Sequence, residues 1–125
     1  LEFRRVLFRS YSYNAIAAAD SYPWKNPELF TKQGSLFNAD KINTPLLLLH
    51  GTADTNVPIG ESIQLFNALK ILGKTVEFVT VDGENHFIAD YPKRILWHNS
   101  IMAWFARWLQ DSPEWWNDLY PERHL

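Results

Sequence analysis

Two residues of this chain, Asp54 and His86, have the types and the spacing that proton-transfer chemistry needs. Asp54 follows an apolar run that ends near His50, and His86 follows a second run of alternating character about thirty residues later. A histidine takes a proton from a nucleophile such as serine when a carboxylate fixes its tautomer and stabilises the imidazolium that forms. We therefore treat Asp54 and His86 as one hypothesis, an acid/base pair.

Two strands and the helix between them must position this pair. Residues 46–49 are four leucines without alternation, which is typical of a strand covered on both faces. Residues 75–81 alternate strictly, with Val76 and Phe78 on one face and Val79 and Val81 on the other. Parallel strands joined by a helix bring their carboxyl ends to one edge of a sheet, so we expect the residues that follow them to meet there.

Helices are predicted around these strands. A helix over residues 58–72 ends at Gly73, and its expected inward residues are Ile63, Phe66, Leu69 and Leu72. Asn26 caps a short helix over 27–33, followed by a tighter turn over 35–42 with expected inward residues Leu36, Phe37 and Ile42. A final helix over 91–110 carries an apolar face, and an aromatic tail is expected to fold back; these residues are Ile101, Trp104, Phe105, Trp108, Trp115, Trp116 and Tyr120.

The motif over residues 50–58, then a helix, a strand and the motif over 83–86, resembles the C-terminal end of the catalytic domain of prolyl oligopeptidase family serine peptidases, including the dipeptidyl-peptidase IV branch. The resemblance runs from about Tyr22 to Trp116. It implies an α/β fold, the truncated C-terminal portion of an α/β-hydrolase, with Asp54 and His86 catalytic. It further implies that the Asn56 amide contacts a substrate carbonyl. A peptide substrate, an upstream β-propeller and no cofactor follow from the same resemblance.

The nucleophile that this chemistry requires is missing. A Gly-x-Ser-x-Gly elbow is expected before the aspartate strand, and none of the serines has that context; they are Ser10, Ser12, Ser21, Ser35, Ser62, Ser100 and Ser112. We therefore expect residues 11–125 to be the C-terminal part of a peptidase catalytic domain, inactive alone, with the serine in an upstream part of the same domain. Residues 1–10 carry three arginines, lack a starting methionine and show no pattern that continues, so we interpret them as a non-native N-terminal scar.

Composition excludes several classes of function. The chain has 125 residues, 46% of them hydrophobic, which is enough for one globular domain at most. A net charge of −2 without a basic block argues against nucleic acid as a partner, and no apolar run is long enough to span a membrane. The absence of cysteine excludes disulfides and thiol catalysis. The compartment and the oligomeric state stay open, a homodimer of the parent being one option.

Other readings of these residues stay open. Asp54 and Asn56 also suit a simple turn, and the dispersed set of His50, Asp54 and His86 lacks a compact metal-binding spacing, so no metal is expected. We interpret His50 as structural, and Glu84 and Asp90 as solvated surface charges. The triad residues do not determine which acyl group the enzyme hydrolyses, so an esterase or acylaminoacyl hydrolase is an alternative. A non-catalytic hydrolase-like binding module is another.

Overall fold

The computed structural model describes residues 24–122, and a parallel pair of strands lies at its centre. Strand β1, Leu46–Gly51, pairs with strand β2, Val76–Val81, from Leu46 opposite Val76 to Gly51 opposite Val81. Within the described range the sheet consists of these two strands. The predicted α/β class, parallel strands flanked by helices, is confirmed, whereas the predicted boundary at residue 10 lies outside the described residues.

Between residues 24 and 122, five helical segments surround the strands, and most begin and end where the sequence predicts. Asn26 caps the first one, since its Oδ1 accepts a hydrogen bond from the Leu29 amide at 3.4 Å. Gly73, with φ of 67°, ends the helix between the strands. In chain order the segments are α1 (Pro27–Gln33), a 3-10 helix (Leu36–Lys41), α2 (Ile59–Ile71), α3 (Tyr91–Leu109) and α4 (Glu114–Leu119).

Each face of the strand pair packs against its own apolar cluster. On one face, helix α2 and the 3-10 helix bring Leu69 and Ala39 against Val76, with Leu46 and Leu48 beside them. On the other face, helices α3 and α4 contribute Ala103, Trp104 and Trp116 to the second cluster. These residues pack with Val79 of β2, and Leu47 and Leu49 of β1 lie against them. Contacts on both faces of the leucine run are therefore as predicted, although its leucines are half-buried.

Several predicted inward residues are exposed instead. Ile63 and Leu72 of the α2 region are 41% and 45% exposed, because Ile63 lies about 120° around the helix from buried Leu69 and Leu72 lies beyond the last turn. Phe37 is 64% exposed, since the 3-10 helix is interrupted at Asn38 and presents Ala39 to the core. Three further predicted core residues are also exposed: Leu36, Phe105 and Trp108.

The aromatic tail folds back as predicted. The ring centroid of Trp116 lies 5.0 Å from the ring centroid of Trp104 and 4.6 Å from that of Tyr120. The Tyr120 hydroxyl is 2.6 Å from the Oγ of Ser100, which is fully buried. These contacts attach α4 to α3. Asp54 and His86 lie in the loops that follow the two strands. Of the helices between residues 24 and 122, none has the length and apolar character needed to cross a membrane.

Candidate active site

The loop after β1 holds Asp54 in a defined orientation. Its Oδ1 accepts hydrogen bonds from the backbone amides of Asn56 at 2.7 Å and Val57 at 2.8 Å, an Asx turn that explains why a short polar residue lies here. The Asp54 side chain is 5% exposed. Because Oδ1 is committed to the backbone, Oδ2 is the oxygen that faces other side chains.

Opposing influences set the pKa of Asp54, and the net direction is downward. Burial raises the pKa of this carboxyl group. The amide of Val57, the ring of His86 and the amide of Asn56 donate hydrogen bonds to the carboxylate, and together they lower its pKa below the ordinary value. Asp54 is therefore ionised at neutral pH, the state in which it can orient an imidazole and stabilise its cation.

His86, in the loop after β2, contacts that free oxygen. Its Nδ1 lies 2.9 Å from Asp54 Oδ2, and because a carboxylate only accepts, Nδ1 carries the proton of this hydrogen bond. The neutral ring then has an unprotonated Nε2, which forms no hydrogen bond within residues 24–122. The side chain is 45% exposed, so a substrate or a nucleophile can approach it.

His50 contacts the same carboxylate but is fully committed to the fold. Its Nε2 lies 3.0 Å from the carbonyl oxygen of Val57 and 3.5 Å from Asp54 Oδ2, and its Nδ1 lies 2.8 Å from Ser62 Oγ. The residue is 7% exposed. Both ring nitrogens have partners, which agrees with the structural role expected for His50.

Backbone contacts hold the two loops against each other. The amides of Thr52 and Ala53 donate to the carbonyl oxygens of Val81 and Glu84 at 3.0 and 2.9 Å, which extends the parallel pairing past the strand ends. Gly51 permits this approach, because a Cβ at its position would lie 2.6 Å from the carbonyl oxygen of Asn85 and closer still to that of Glu84. Any other residue at this position would push the loops apart.

Glu84 is not the solvated surface charge that the sequence predicts. It is 9% exposed, and its carboxylate accepts hydrogen bonds from the amides of Ala89 at 2.7 Å and Asp90 at 3.3 Å. The Ala89 amide is the largest influence on the pKa of Glu84, which is lowered despite burial, with help from the amide of Asp90 and from Lys93. Glu84 thus shapes the turn that leads from His86 into α3.

Asp90 also has a structural role that sequence analysis missed. It caps α3, since its Oδ1 accepts a hydrogen bond from the Lys93 amide at 3.0 Å. An aspartate directly before a Tyr-Pro pair is a helix-start signal, because proline is favoured in the first turn, and that signal could have identified the cap.

Asn85 was missed altogether. Its Oδ1 accepts a hydrogen bond from the Thr55 amide at 3.0 Å and one from the His86 amide at 2.7 Å. Asn56, which the sequence does single out, lies in the exposed part of the Asp54 loop. Only its backbone amide is used, and its side chain makes no hydrogen bond within residues 24–122, so the structure brings Asp54 and His86 together without joining the Asn56 side chain to them.

The sequence matches a known protein family over most of its length. A model of the prolyl oligopeptidase family matches residues 7–112. The chain belongs to the prolyl oligopeptidase family. The resemblance inferred from the sequence motifs is therefore confirmed, while the boundary between residues 10 and 11 stays a prediction.

Relatives in this family are named as dipeptidyl-peptidases. Dipeptidyl-peptidase 5 of Porphyromonas endodontalis is 28% identical over 93 residues, which are 70% of this chain and 13% of that protein. Dipeptidyl-peptidase 5 of Aspergillus oryzae is 29% identical over 68 residues, 54% of this chain and 9% of that protein. The chain thus spans about a tenth of the length of these relatives.

A solved structure of the same kind shares the fold. The crystal structure of puromycin hydrolase matches with a TM-score of 0.66 at 20% sequence identity, over 70% of this chain and 13% of that one. At this level of identity the match establishes the fold alone.

The serines that the structure describes do not supply this family member with a nucleophile at His86. Ser62 bonds to His50, Ser100 to the Leu96 carbonyl and Tyr120, and Ser112 to Glu114, while Ser35 precedes the 3-10 helix. None of these four contacts His86. Among residues 24–122 there is also no group of three histidine, aspartate or glutamate side chains arranged to hold a metal ion.

Proposed function

We propose that this chain is the C-terminal part of the catalytic domain of a serine-type peptidase, in which Asp54 and His86 are two members of the triad. The observation that carries the proposal is the 2.9 Å hydrogen bond between His86 Nδ1 and Asp54 Oδ2. It lies at the carboxyl ends of adjacent parallel strands, where α/β folds assemble their active sites. The family membership and the names of the relatives support a peptidase rather than a binding module.

In the proposed reaction, His86 acts first as a general base and then as a general acid in each half of the reaction. Its Nε2 takes the proton of a serine hydroxyl, and the serine oxygen bonds to the carbonyl carbon of the substrate. The protonated Nε2 then gives that proton to the leaving amine as the C–N bond breaks, which leaves an acyl-enzyme ester. Water repeats the sequence: Nε2 removes its proton, hydroxide attacks the ester, and the serine oxygen leaves with the proton from Nε2.

Asp54 contributes by holding the correct tautomer. Its hydrogen bond fixes the proton on Nδ1 and leaves Nε2 as the base, and its charge stabilises the imidazolium during each step. General acid and base catalysis of this kind contributes roughly 10²–10⁴ to the rate. The carboxylate is well suited to the task because its pKa is lowered and its Oδ1 is locked by the Asx turn.

The other parts of the proposal concern the parent protein. The nucleophile belongs to an upstream part of the same catalytic domain, so residues 11–125 alone have no turnover. An upstream β-propeller limits the substrates to short peptides, and the parent can associate as a homodimer. Asn56 lies two residues from Asp54 in an exposed part of the loop. Its side-chain amide contacts a carbonyl of the bound peptide.

The experiment that tests the proposal is a substrate comparison with the full-length parent. Dipeptidyl chromogenic amides, single-aminoacyl amides and a simple ester are assayed side by side, and His86→Ala serves as the control for background hydrolysis. We expect dipeptidyl amides to be cleaved with the highest kcat/KM and His86→Ala to remove that activity. A parent that cleaves only the ester would replace the peptidase with the esterase alternative, and a parent with no hydrolysis at all would favour the binding module.

Asn56 is tested in the same assay. Asn56→Ala should raise KM for dipeptidyl amides while kcat falls less, because a contact with bound substrate that persists in the transition state acts mainly on binding. An unchanged kcat/KM in Asn56→Ala would exclude a substrate contact at this residue.

A further inference from the structure

We propose that Asn85 is a positioning residue that sets the distance between His86 and Asp54. The inference rests on the proposed function of that pair, and it adds a residue to which neither the sequence motifs nor the family match assigns a role. It starts from a single side-chain oxygen, Asn85 Oδ1, which bonds to both catalytic loops.

The contacts of this oxygen join the neighbours of the two catalytic residues. Oδ1 accepts a hydrogen bond from the amide of Thr55, the residue after Asp54, at 3.0 Å. It also accepts one from the amide of His86 itself at 2.7 Å. The Thr55 hydroxyl, 3.3 Å from both Oδ1 and Nδ2 of Asn85, adds a second contact of the Asn85 side chain with the Asp54 loop.

His86 needs such a connection because little else holds it. The residue is exposed, and its ring contacts in the described structure are the Asp54 carboxylate and the ring of Phe87, which lies nearly perpendicular to it and is itself 81% exposed. Backbone bonds between the loops reach Ala53 on one side and Glu84 on the other. Farther along the two loops, the Asn85 side chain connects the backbone at Thr55 with the backbone at His86.

The effect on catalysis follows from geometry. A proton passes efficiently only when the base and its partners lie at hydrogen-bond distance, and a displacement of about 1 Å can cost on the order of 10²-fold in rate. Without the Asn85 oxygen, the amides of Thr55 and His86 would turn to water, and His86 would sample positions away from Asp54. Binding of substrate elsewhere in the site would change little.

The chemistry of the bridge requires an acceptor, which gives a conservative variant. Aspartate has the same shape as asparagine and keeps an oxygen for the Thr55 and His86 amides, whereas alanine has none. Asparagine supplies that oxygen without a charge. In Asn85→Asp the added negative charge would favour the imidazolium form of His86, so the acid limb of the pH profile should move to higher pH.

The test measures kcat and KM of the full-length parent on a dipeptidyl amide between about pH 5 and 9, for wild type, Asn85→Ala and Asn85→Asp. Asn67→Ala, on the exposed surface of α2 and outside both loops, is the matched control. We expect kcat of Asn85→Ala to fall about 10- to 100-fold with KM nearly constant. Asn85→Asp should recover most of kcat, with its acid limb displaced to higher pH, and Asn67→Ala should match wild type.

Several results would overturn the inference. They are a wild-type kcat in Asn85→Ala, a change in KM alone, or a loss that aspartate does not recover. Should Asn85→Ala fail to fold, Asn85→Ser gives the same comparison with a polar side chain too short to bridge the loops, and the same kcat loss is expected. Activity that survives His86→Ala would instead refute the proposed function, whereas an inactive His86→Ala beside a fully active Asn85→Ala refutes only the role of Asn85.

Discussion

In the part of the chain that the structure describes, two histidines contact the same oxygen of Asp54, and their surroundings differ in almost every other respect. His50 is 7% exposed and has partners at both ring nitrogens, Ser62 and Val57. The His86 side chain is 45% exposed, and among residues 24–122 its ring has a hydrogen-bond partner at Nδ1 only. A carboxylate neighbour is therefore insufficient to identify a catalytic histidine in this fold.

The difference lies in whether a nitrogen is left for chemistry. The Ser62, His50 and Asp54 side chains form a chain of polar contacts that resembles a triad in composition. However, the Nε2 proton of His50 points to the carbonyl of Val57 at 3.0 Å, closer than the carboxylate at 3.5 Å, and the ring is closed to substrate. His86 has the reverse arrangement, which supports the role in proton transfer that we propose for it, whereas the contacts of His50 agree with a structural role.

The largest expected effect separates the two histidines by activity. In the full-length parent, His86→Ala should lower kcat by about 10⁴-fold or more, because loss of the base removes the triad as a unit. The fold should persist, since the side chain is exposed. Thermal unfolding of the variant, measured beside the kinetics, should match wild type within a few degrees. A kcat within tenfold of wild type would mean that His86 is not the base.

Asp54→Asn should have the next largest effect. Asparagine keeps an Oδ1 for the amides of Asn56 and Val57, so the Asx turn is retained, but it can no longer stabilise the imidazolium of His86. We expect kcat to fall about 10³- to 10⁴-fold with a largely native fold. Steady-state kinetics and circular dichroism on the same sample check both parts. Asn67→Ala again provides the control, and a loss of activity explained by unfolding would leave the catalytic assignment of Asp54 without support.

His50→Leu should show the opposite pattern, a change in stability rather than in chemistry. Leucine removes the ring nitrogens that form hydrogen bonds with the Ser62 hydroxyl and the Val57 carbonyl. This loss should lower the free energy of unfolding by about 1–3 kcal/mol. Turnover per folded molecule should stay within about tenfold of wild type, because no proton transfer passes through His50. Urea denaturation combined with kinetics measures the two quantities. A loss of kcat as large as that of His86→Ala, in a stable protein, would reverse the roles of the two histidines.

The smallest effect concerns acid stability. Burial raises the pKa of Asp54, but hydrogen bonds from Val57, His86 and Asn56 lower it further, so the folded pKa lies below the unfolded one. Asp54 therefore contributes stability above its ordinary pKa of about 4, and this contribution disappears as the pH falls through the folded value. The difference in urea midpoint between wild type and Asp54→Asn should be steady from about pH 7 to 5 and shrink below about pH 4. A difference that persists unchanged to lower pH would contradict the lowered pKa.

Much of this arrangement is predictable from sequence because it depends on local patterns. The leucine run, the alternation over 75–81 and Gly73 predict two parallel strands joined by a helix, and these bring Asp54 and His86 to one edge. The role of His50 also followed from its place at the end of a strand. Motif order within the two loops then sufficed to recognise the family.

The rest depends on contacts that local patterns do not encode. Asn85 bonds to Thr55 across 30 residues of chain, and Glu84 is buried by amides that only its own loop conformation brings together. The inward face of α2 was also misjudged, since periodicity allows several overlapping stripes and packing selects the one centred on Leu69. Polar side chains that join loops are thus the part of the site that the sequence conceals.

The most direct test of the central claim is to locate the nucleophile that His86 activates. The full-length parent, together with its His86→Ala and His50→Leu variants, is treated with a fluorophosphonate probe, digested and mapped by mass spectrometry. We expect one labelled serine, located upstream of residue 11, with labelling that is lost in His86→Ala and retained in His50→Leu. Labelling of Ser62, or labelling that depends on His50 and not on His86, would contradict the proposed role of His86.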